Sequence, residues 1–115
     1  MIRDFLLGFV KVHILHHAAE QPIYGAWLIE ELAEHGYQLS PGTLYPILHG
    51  LEQEGLLNHR EQVVAGKRRK YYTATAAGRE ALGEARARIR ELVNEVLEEH
   101  PRHGPPRPAV KRKSY

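Results

Sequence analysis

The stretch SPGTLYPILHGLEQEGLL, from Ser40 to Leu57, decides the fold of this chain. Ser40 suits the position before a helix, and Pro41 suits the first helical position, where its missing N–H costs nothing. Apolar residues then recur at helical spacing, and Gly55 is the residue type that commonly ends a helix. The expected buried stripe contains Leu44, Ile47, Leu48 and Leu51.

The first turn of this helix contains only small residues after its proline. Gly42 and Thr43 leave the backbone amides uncrowded, so that another molecule can approach them closely. Free N–H groups at a helix N-terminus, together with the helix dipole, favour phosphate. The sequence therefore predicts a recognition helix whose N-terminal end, with Ser40, Gly42 and Thr43, contacts DNA.

Two further helices are predicted upstream, from Ile2 to Ala19 and from Tyr24 to His35. The first is apolar on nearly all sides, so one side can pack on the core while the other needs a partner. Two helices, a tight turn and a helix with an exposed N-terminus form the pattern of a helix-turn-helix.

After Gly55 the pattern changes from helical to extended. LLNHREQVV (56–64) alternates partially, AGKRR (65–69) is expected to be a turn, and KYYTAT (70–75) is rich in tyrosine and threonine. Two short strands around a basic loop make a β-hairpin, the wing of a winged helix. Its consecutive cations are Lys67, Arg68, Arg69 and Lys70.

Thr75 is expected to cap a final helix that runs to about Glu98. Its apolar residues alternate at spacings of three and four, as in a short coiled-coil seam. Packed beside the free side of the first helix, this seam can close a dimer. The predicted interface contains Phe5, Phe9, Leu82, Ala85, Ile89, Leu92 and Val96.

These elements predict a mainly α fold with one small β-hairpin. It is a winged helix-turn-helix with an added N-terminal helix and a C-terminal dimerisation helix. Residues 1–75 form the DNA-binding domain, residues 76–100 the dimerisation helix, and residues 101–115 a disordered tail, because that stretch combines prolines with five cations and no acid.

Three segments of the chain resemble the PadR family of transcriptional regulators: SPGTLYPILHGLEQEGLL, GKRRKYY and TATAAGREAL. The resemblance covers about residues 2–97. It implies a winged helix-turn-helix fold, a dimer joined through the C-terminal helix and, in most members, repression of target genes. It also implies that Ser40, Gly42, Thr43 and Tyr45 lie at the DNA surface.

The third helix departs from the family in its charge. PadR proteins often carry basic residues near positions 49 and 50, where this chain has His49 and Gly50. His49 is retained among the predicted DNA contacts, but phosphate neutralisation must come mainly from Lys67–Lys70, with the tail as a supplement.

Composition excludes several other classes of protein. The chain has 115 residues, enough for one domain, and no cysteine, which rules out disulfides and thiolate chemistry and fits a reducing cytoplasm. The N-terminal apolar stretch is too short and too charged to span a membrane. Serines are confined to positions 40 and 114, acidic residues fit exposed helix pairs, and no glycine-rich phosphate loop occurs. We therefore expect neither an enzyme nor a cofactor.

Two aromatic residues allow more than one interpretation. Tyr45 lies off the leucine stripe, where it either contacts DNA or braces the wing as a half-buried side chain. Trp27, the single tryptophan, either packs against the first helix or a neighbouring subunit, or stacks on a ligand. The last helix carries no aromatic residue, so a large stacking pocket is not expected.

Histidines are also unusually frequent, with eight in the chain. His13, His16 and His17 lie within one turn, and the i, i+4 pair His13/His17 suits a metal. One interpretation is a metal-sensing site at the dimer interface, completed by the other subunit; the other is a set of ordinary interface or surface histidines.

The preferred function is a homodimeric, sequence-specific regulator of transcription that represses by binding an inverted repeat in double-stranded DNA. A small molecule or a metal ion at the dimer interface is the expected kind of effector. The alternative is a winged-helix module that binds proteins and never contacts DNA. Four consecutive cations beside a polar helix end favour DNA.

Overall fold

The computed structural model describes residues 2–98, so the predicted tail at 101–115 lies outside the described residues. Six elements follow one another along the chain: α1 (Ile2–Glu20), α2 (Gly25–Glu34), α3 (Pro41–Gln53), β1 (Leu57–Val64), β2 (Lys67–Ala74) and α4 (Ala76–Val96). The predicted mainly α architecture with one hairpin is confirmed. Every predicted helix is present, with ends that differ from the sequence prediction by a few residues at most.

Glycine ends both helices of the helix-turn-helix, as the sequence predicted for Gly55. Gly36 and Gly55 adopt φ values of 93° and 80°, a region that costs a glycine nothing. In each case the residue after the glycine closes the helix with a backbone hydrogen bond. After Gly55, for example, the Leu56 amide donates to the Leu51 carbonyl at 3.0 Å. This paired-bond ending turns the chain sharply, so α3 leads directly into the hairpin.

The hydrophobic core lies where α1, α2 and α3 meet the base of the hairpin. Leu44, Leu48 and Leu51 of α3 are buried, and Ile47 packs half-buried beside them. α1 buries one side only: Ile14 is fully buried, whereas Phe5 and Phe9 remain about half exposed. The two-sided character predicted for α1 is therefore confirmed.

The hairpin is longer and its turn tighter than the sequence analysis expected. The antiparallel register runs from Leu57 opposite Ala74 to Val64 opposite Lys67. Only Ala65 and Gly66 form the turn, with φ values of 53° and 79°, as two-residue hairpin turns that match strand twist require. The expected AGKRR turn is thus wrong, because the cations from position 67 onward are paired residues of β2.

The start of α4 is held against the base of the hairpin. The Thr75 hydroxyl accepts the Gly78 amide at 3.0 Å, which confirms the predicted cap, and it also donates to the Gly55 carbonyl. A Cβ on Gly78 would collide with the Leu56 carbonyl, so only glycine permits this approach. Leu82, one turn further, is 3% exposed and belongs to the core.

Candidate nucleic-acid interface

The N-terminal end of α3 is exposed, but it offers fewer free amides than the sequence analysis expected. Ser40 occupies the N-cap position, yet its hydroxyl accepts no backbone N–H and donates to the Thr43 hydroxyl at 3.3 Å. The Ser40 carbonyl accepts the amides of Thr43 and Leu44. Because Pro41 has no N–H, Gly42 carries the one first-turn amide of α3 without a partner among the described residues.

Gly42 is also the most open point of this helix end. A Cβ built there would meet only the Ser40 hydroxyl, at 3.8 Å. Pro46, a feature that the sequence analysis did not weigh, lies one turn further inside α3. It has no N–H to donate, so the Gly42 carbonyl lacks its usual helical partner.

Tyr45 bridges α3 and the start of α2. Its side chain is 45% exposed, while its hydroxyl end lies so close to Gly25 that a Cβ there would collide with the ring. The glycine at the first position of α2 therefore makes room for Tyr45. Tyr45 therefore rests against α2 on one side and is open to solvent on the other. Its contact with DNA stays a prediction.

The four cations of β2 differ in their surroundings. Arg68 is 79% exposed and pairs with Glu61 across the hairpin at 3.1 Å, an exposed ion pair of little energetic weight. Lys67 and Lys70 are exposed and have no acidic partner within ion-pair distance among the described residues. Arg69 is half-buried, and its guanidinium contacts two tyrosine side chains instead of solvent alone.

Arg69 is held by two tyrosines. Its guanidinium carbon lies 4.0 Å from the centre of the Tyr24 ring, and the guanidinium donates to the Tyr71 hydroxyl at 3.3 Å. This hydrogen bond is the main cause that raises the pKa of Arg69 above its ordinary value. Arg69 therefore fixes the hairpin to the start of α2, a role that the sequence analysis missed because Tyr24 is distant from Arg69 in the chain.

A shallow hollow of about 360 Å³ lies between the start of α2, α3 and β2. α2 begins at its edge without a side-chain cap on Tyr24, which leaves first-turn amides of α2 for water or a ligand. A cap-free helix N-terminus beside three cations attracts an anion. The hollow is lined by Tyr24, Gly25, Ala26, Tyr45, Arg68, Arg69 and Lys70.

His49 is exposed on α3, where no described residue engages it. The neighbouring ion pair is instead formed by Glu52 and His59, whose Oε2 and Nδ1 lie 2.6 Å apart. This pair connects the last turn of α3 to β1 and lies beside the Tyr72 ring. Burial, and secondly the Glu52 charge, raise the pKa of Tyr72 above its ordinary value. The contact between Glu52 and His59 therefore helps to hold the angle between α3 and the hairpin.

A second exposed surface lies on α1 and α4, opposite in character to the first. An apolar groove of about 690 Å³ separates the two helices. Leu82 is a buried core residue that forms part of the floor of the groove. The other predicted interface residues keep apolar surface exposed to solvent. The exposed or half-exposed members of this surface are Phe5, Phe9, Ala85, Ile89, Leu92 and Val96.

The predicted histidine cluster also gathers residues from α2. The His13 ring stacks on His35 at 4.9 Å and on His17 at 6.4 Å between centroids. His17 faces the Glu31 carboxylate at 3.4 Å, and its ring meets the edge of Trp27. Trp27 thus packs against α1, which is the packing alternative. Burial is the main cause that lowers the pKa of both His13 and His17 below the ordinary value.

The four helices, the hairpin and the exposed tip of α3 define a winged helix-turn-helix protein. Within the described part of the chain, no helix is long and apolar enough to cross a membrane. Residues 14–84 match the family model described as the transcriptional regulator PadR-like family. The chain therefore belongs to the PadR-like family, whose members are regulators of transcription that bind DNA and not enzymes.

Relatives and solved structures agree with this assignment. The chain is 54% identical over 96 residues to the transcriptional regulator Rv3488 of Mycobacterium tuberculosis, covering 84% of this chain and 90% of that protein. A PadR-like transcription factor from Bacteroides fragilis matches with a TM-score of 0.73, 32% identity, and 82% and 92% coverage of the two chains. A PadR family regulator from Eggerthella lenta matches with a TM-score of 0.73 and 33% identity, covering 84% of this chain and 85% of that chain.

Proposed function

We propose that this regulator binds an inverted-repeat operator as a homodimer and represses transcription. The observation that carries the proposal is the hollow shared by α2, α3 and β2, where Tyr45 and three cations surround an uncapped helix N-terminus. Such a site neutralises backbone phosphate without reading sequence. An action on genomic DNA also implies a cytoplasmic location.

The tip of α3 is proposed to enter the major groove beside this phosphate site. Ser40, Gly42, Thr43 and Tyr45 are all exposed there, with His49 further along the helix. Because α3 carries no lysine or arginine, its base contacts would be made by hydroxyl, backbone and imidazole groups. Lys67 and Lys70 have no acidic partner among the described residues, so both can bind phosphate directly. Arg68 can bind phosphate as well after its ion pair with Glu61 breaks.

The apolar surface of α1 and α4 is proposed as the dimer interface. Phe9 and Ile89 line the same groove and are 49% and 42% exposed in the single chain, which is unusual for large apolar groups that share one surface. A second copy related by two-fold symmetry would cover both helices. The same symmetry requires half-sites about 34 Å apart, or a multiple of that distance, along the DNA.

The proposal is tested by gel-shift titration of the full chain on DNA from its own upstream region, with sedimentation measured in parallel. We expect a complex of two chains per site, footprints on two half-sites, and reduced transcription in a purified system. A folded dimer that shifts no DNA at low salt would favour the protein-binding alternative. Increased transcription would identify an activator instead of a repressor.

A further inference from the structure

The exposed side of α1 carries a group of metal-ligand side chains that DNA binding does not use. Donor atoms of His16, His17 and Glu20 lie within 4.8 Å of one another. This set differs from the i, i+4 pair His13/His17 of the sequence analysis, because the His13 ring stacks between His17 and His35. All three donors come from a single helical turn, so no second subunit is needed to assemble them.

Two imidazoles and one carboxylate form a donor set that zinc accepts, with a fourth position open to water. His17 has a further feature of a ligating histidine, because one of its ring nitrogens faces the Glu31 carboxylate at 3.4 Å. A carboxylate in that position orients the ring and leaves the other nitrogen for an ion. Hard ions such as Mg²⁺ prefer oxygen ligands and would not occupy this set.

His16 is engaged by a residue of α4 in the present structure. Arg86 lies with one guanidinium nitrogen 3.2 Å from Nδ1 of His16, while Nε2 of the same ring lies 3.6 Å from Glu20. A guanidinium can only donate, so Nδ1 must accept and the ring proton must be on Nε2. In this state the nitrogen that faces Glu20 has no lone pair for a metal.

Coordination therefore requires a change at Arg86. An ion bound at Nε2 moves the ring proton to Nδ1, where it cannot accept from Arg86; an ion bound at Nδ1 displaces Arg86 directly. The guanidinium charge also repels a divalent cation at this distance. We propose that His16, His17 and Glu20 bind a zinc-type divalent cation, and that the ion competes with the hydrogen bond that ties Arg86 of α4 to α1.

The test is calorimetric titration of the full chain with zinc chloride, and with magnesium chloride as a second probe. We expect one saturable zinc site per chain and no saturable heat with magnesium. His16→Gln, at a partly exposed position, and Glu20→Gln, at an exposed one, should each weaken zinc binding at least tenfold. His49→Gln removes an exposed histidine from α3 and should leave zinc binding unchanged.

Competition by Arg86 is tested with Arg86→Met, which keeps an apolar stem but removes the donor and the charge. Zinc affinity should rise roughly three- to tenfold, the equilibrium value of one hydrogen bond. Arg88→Met is the matched control, because it loses the same charge at a neighbouring α4 position and should change affinity little.

Each part of the proposal can fail separately. Absence of saturable zinc heat, or unchanged binding in both His16→Gln and Glu20→Gln, would overturn the site. Equal zinc affinity of Arg86→Met and the unmodified chain would overturn the competition. Circular dichroism of every variant establishes that it is folded. No step uses DNA, so the outcome does not depend on operator binding. Because His16 and Arg86 also line the groove of the proposed dimer interface, sedimentation of each variant distinguishes a change in dimerisation from a change in zinc binding.

Discussion

The hairpin end of the molecule and the α1/α4 face are both exposed, but they expose opposite chemistry. The hairpin end combines a helix tip of small residues with Lys67, Arg68 and Lys70 in solvent. The α1/α4 face exposes large apolar side chains, among them Phe9 and Val96. Polar, cationic surface suits a solvated polyanion, whereas apolar surface suits a partner that excludes water. One chain thus presents two exposed surfaces of opposite chemistry, which fit the proposed DNA site and the proposed dimer interface.

The largest expected effect comes from a charge placed on the apolar face. Leu92→Glu should raise the dimer dissociation constant by at least about a hundredfold, since lost apolar burial and a desolvated carboxylate each cost on the order of 1–3 kcal/mol and occur in both subunits. DNA affinity should fall with it. Sedimentation velocity measures the dimer, and Ala87→Glu, an exposed position away from the groove, is the matched control. Dimers that persist in Leu92→Glu would place the interface elsewhere.

Loss of the two unpaired lysines should weaken DNA binding next most strongly. For Lys67→Gln/Lys70→Gln we expect about tenfold lower affinity, and a salt slope smaller by roughly 0.9 for each lost phosphate contact. Fluorescence anisotropy across a salt series measures both quantities. Removing the same charge at Lys11 and Arg90, far along α1 and α4, should leave the slope unchanged.

A substitution at Glu61 tests the same positively charged surface of the hairpin. Glu61→Gln releases Arg68 from its 3.1 Å ion pair and removes a negative charge from the hairpin, so DNA affinity should increase severalfold. If affinity fell, Glu61 would have to position the hairpin and Arg68 would have no role at phosphate.

Gly42→Ala separates folding from DNA contact at the tip of α3. The added methyl group has open space within the chain, and alanine gains about 0.5–1 kcal/mol over glycine in a helix. Stability in urea should therefore rise while DNA affinity falls, by about tenfold. Gly83→Ala, at an open position of α4 away from the proposed DNA surface, should gain stability without loss of affinity. Unaltered DNA binding by Gly42→Ala would exclude a close approach of DNA at this tip.

The smallest effect is expected at the hairpin turn. Ala65 has a φ of 53°, where asparagine is tolerated better than alanine, so Ala65→Asn should stabilise the fold by about 0.5–1 kcal/mol. Thermal unfolding measures the gain. Ala65→Val should destabilise the hairpin, because a β-branched side chain disfavours this conformation. The opposite order would mean that the turn is not strained.

Sequence periodicity was sufficient for the fold because each helix has a clear stripe or stop signal. Leu44, Leu48 and Leu51 recur at helical spacing, and Gly55 ends the helix as predicted. The hairpin was predicted too, but not its turn. Positive charge at 67–69 was interpreted as part of a turn, whereas strand pairing depends on register with β1, which local composition does not contain.

Details of the candidate site depended on contacts between distant residues. Arg69 resembles its neighbours in the sequence, but Tyr24, 45 positions earlier, holds its guanidinium. Likewise, the histidine spacing suggested His13, whereas ring stacking and Glu20 favour a different donor set. Such distinctions arise only when separate elements are packed together, so side-chain roles were less predictable than helix positions.

The close approach of Gly78 to Leu56 gives α4 a defined pivot. From there α4 extends over about 30 Å, the length of its 21 residues. A tilt of 5° at the pivot moves the far end of such an arm by roughly 3 Å, at constant helix length. In the proposed dimer, we therefore expect small angular changes between the two α4 helices to be enlarged into different spacings of the two DNA-facing ends, without melting any element.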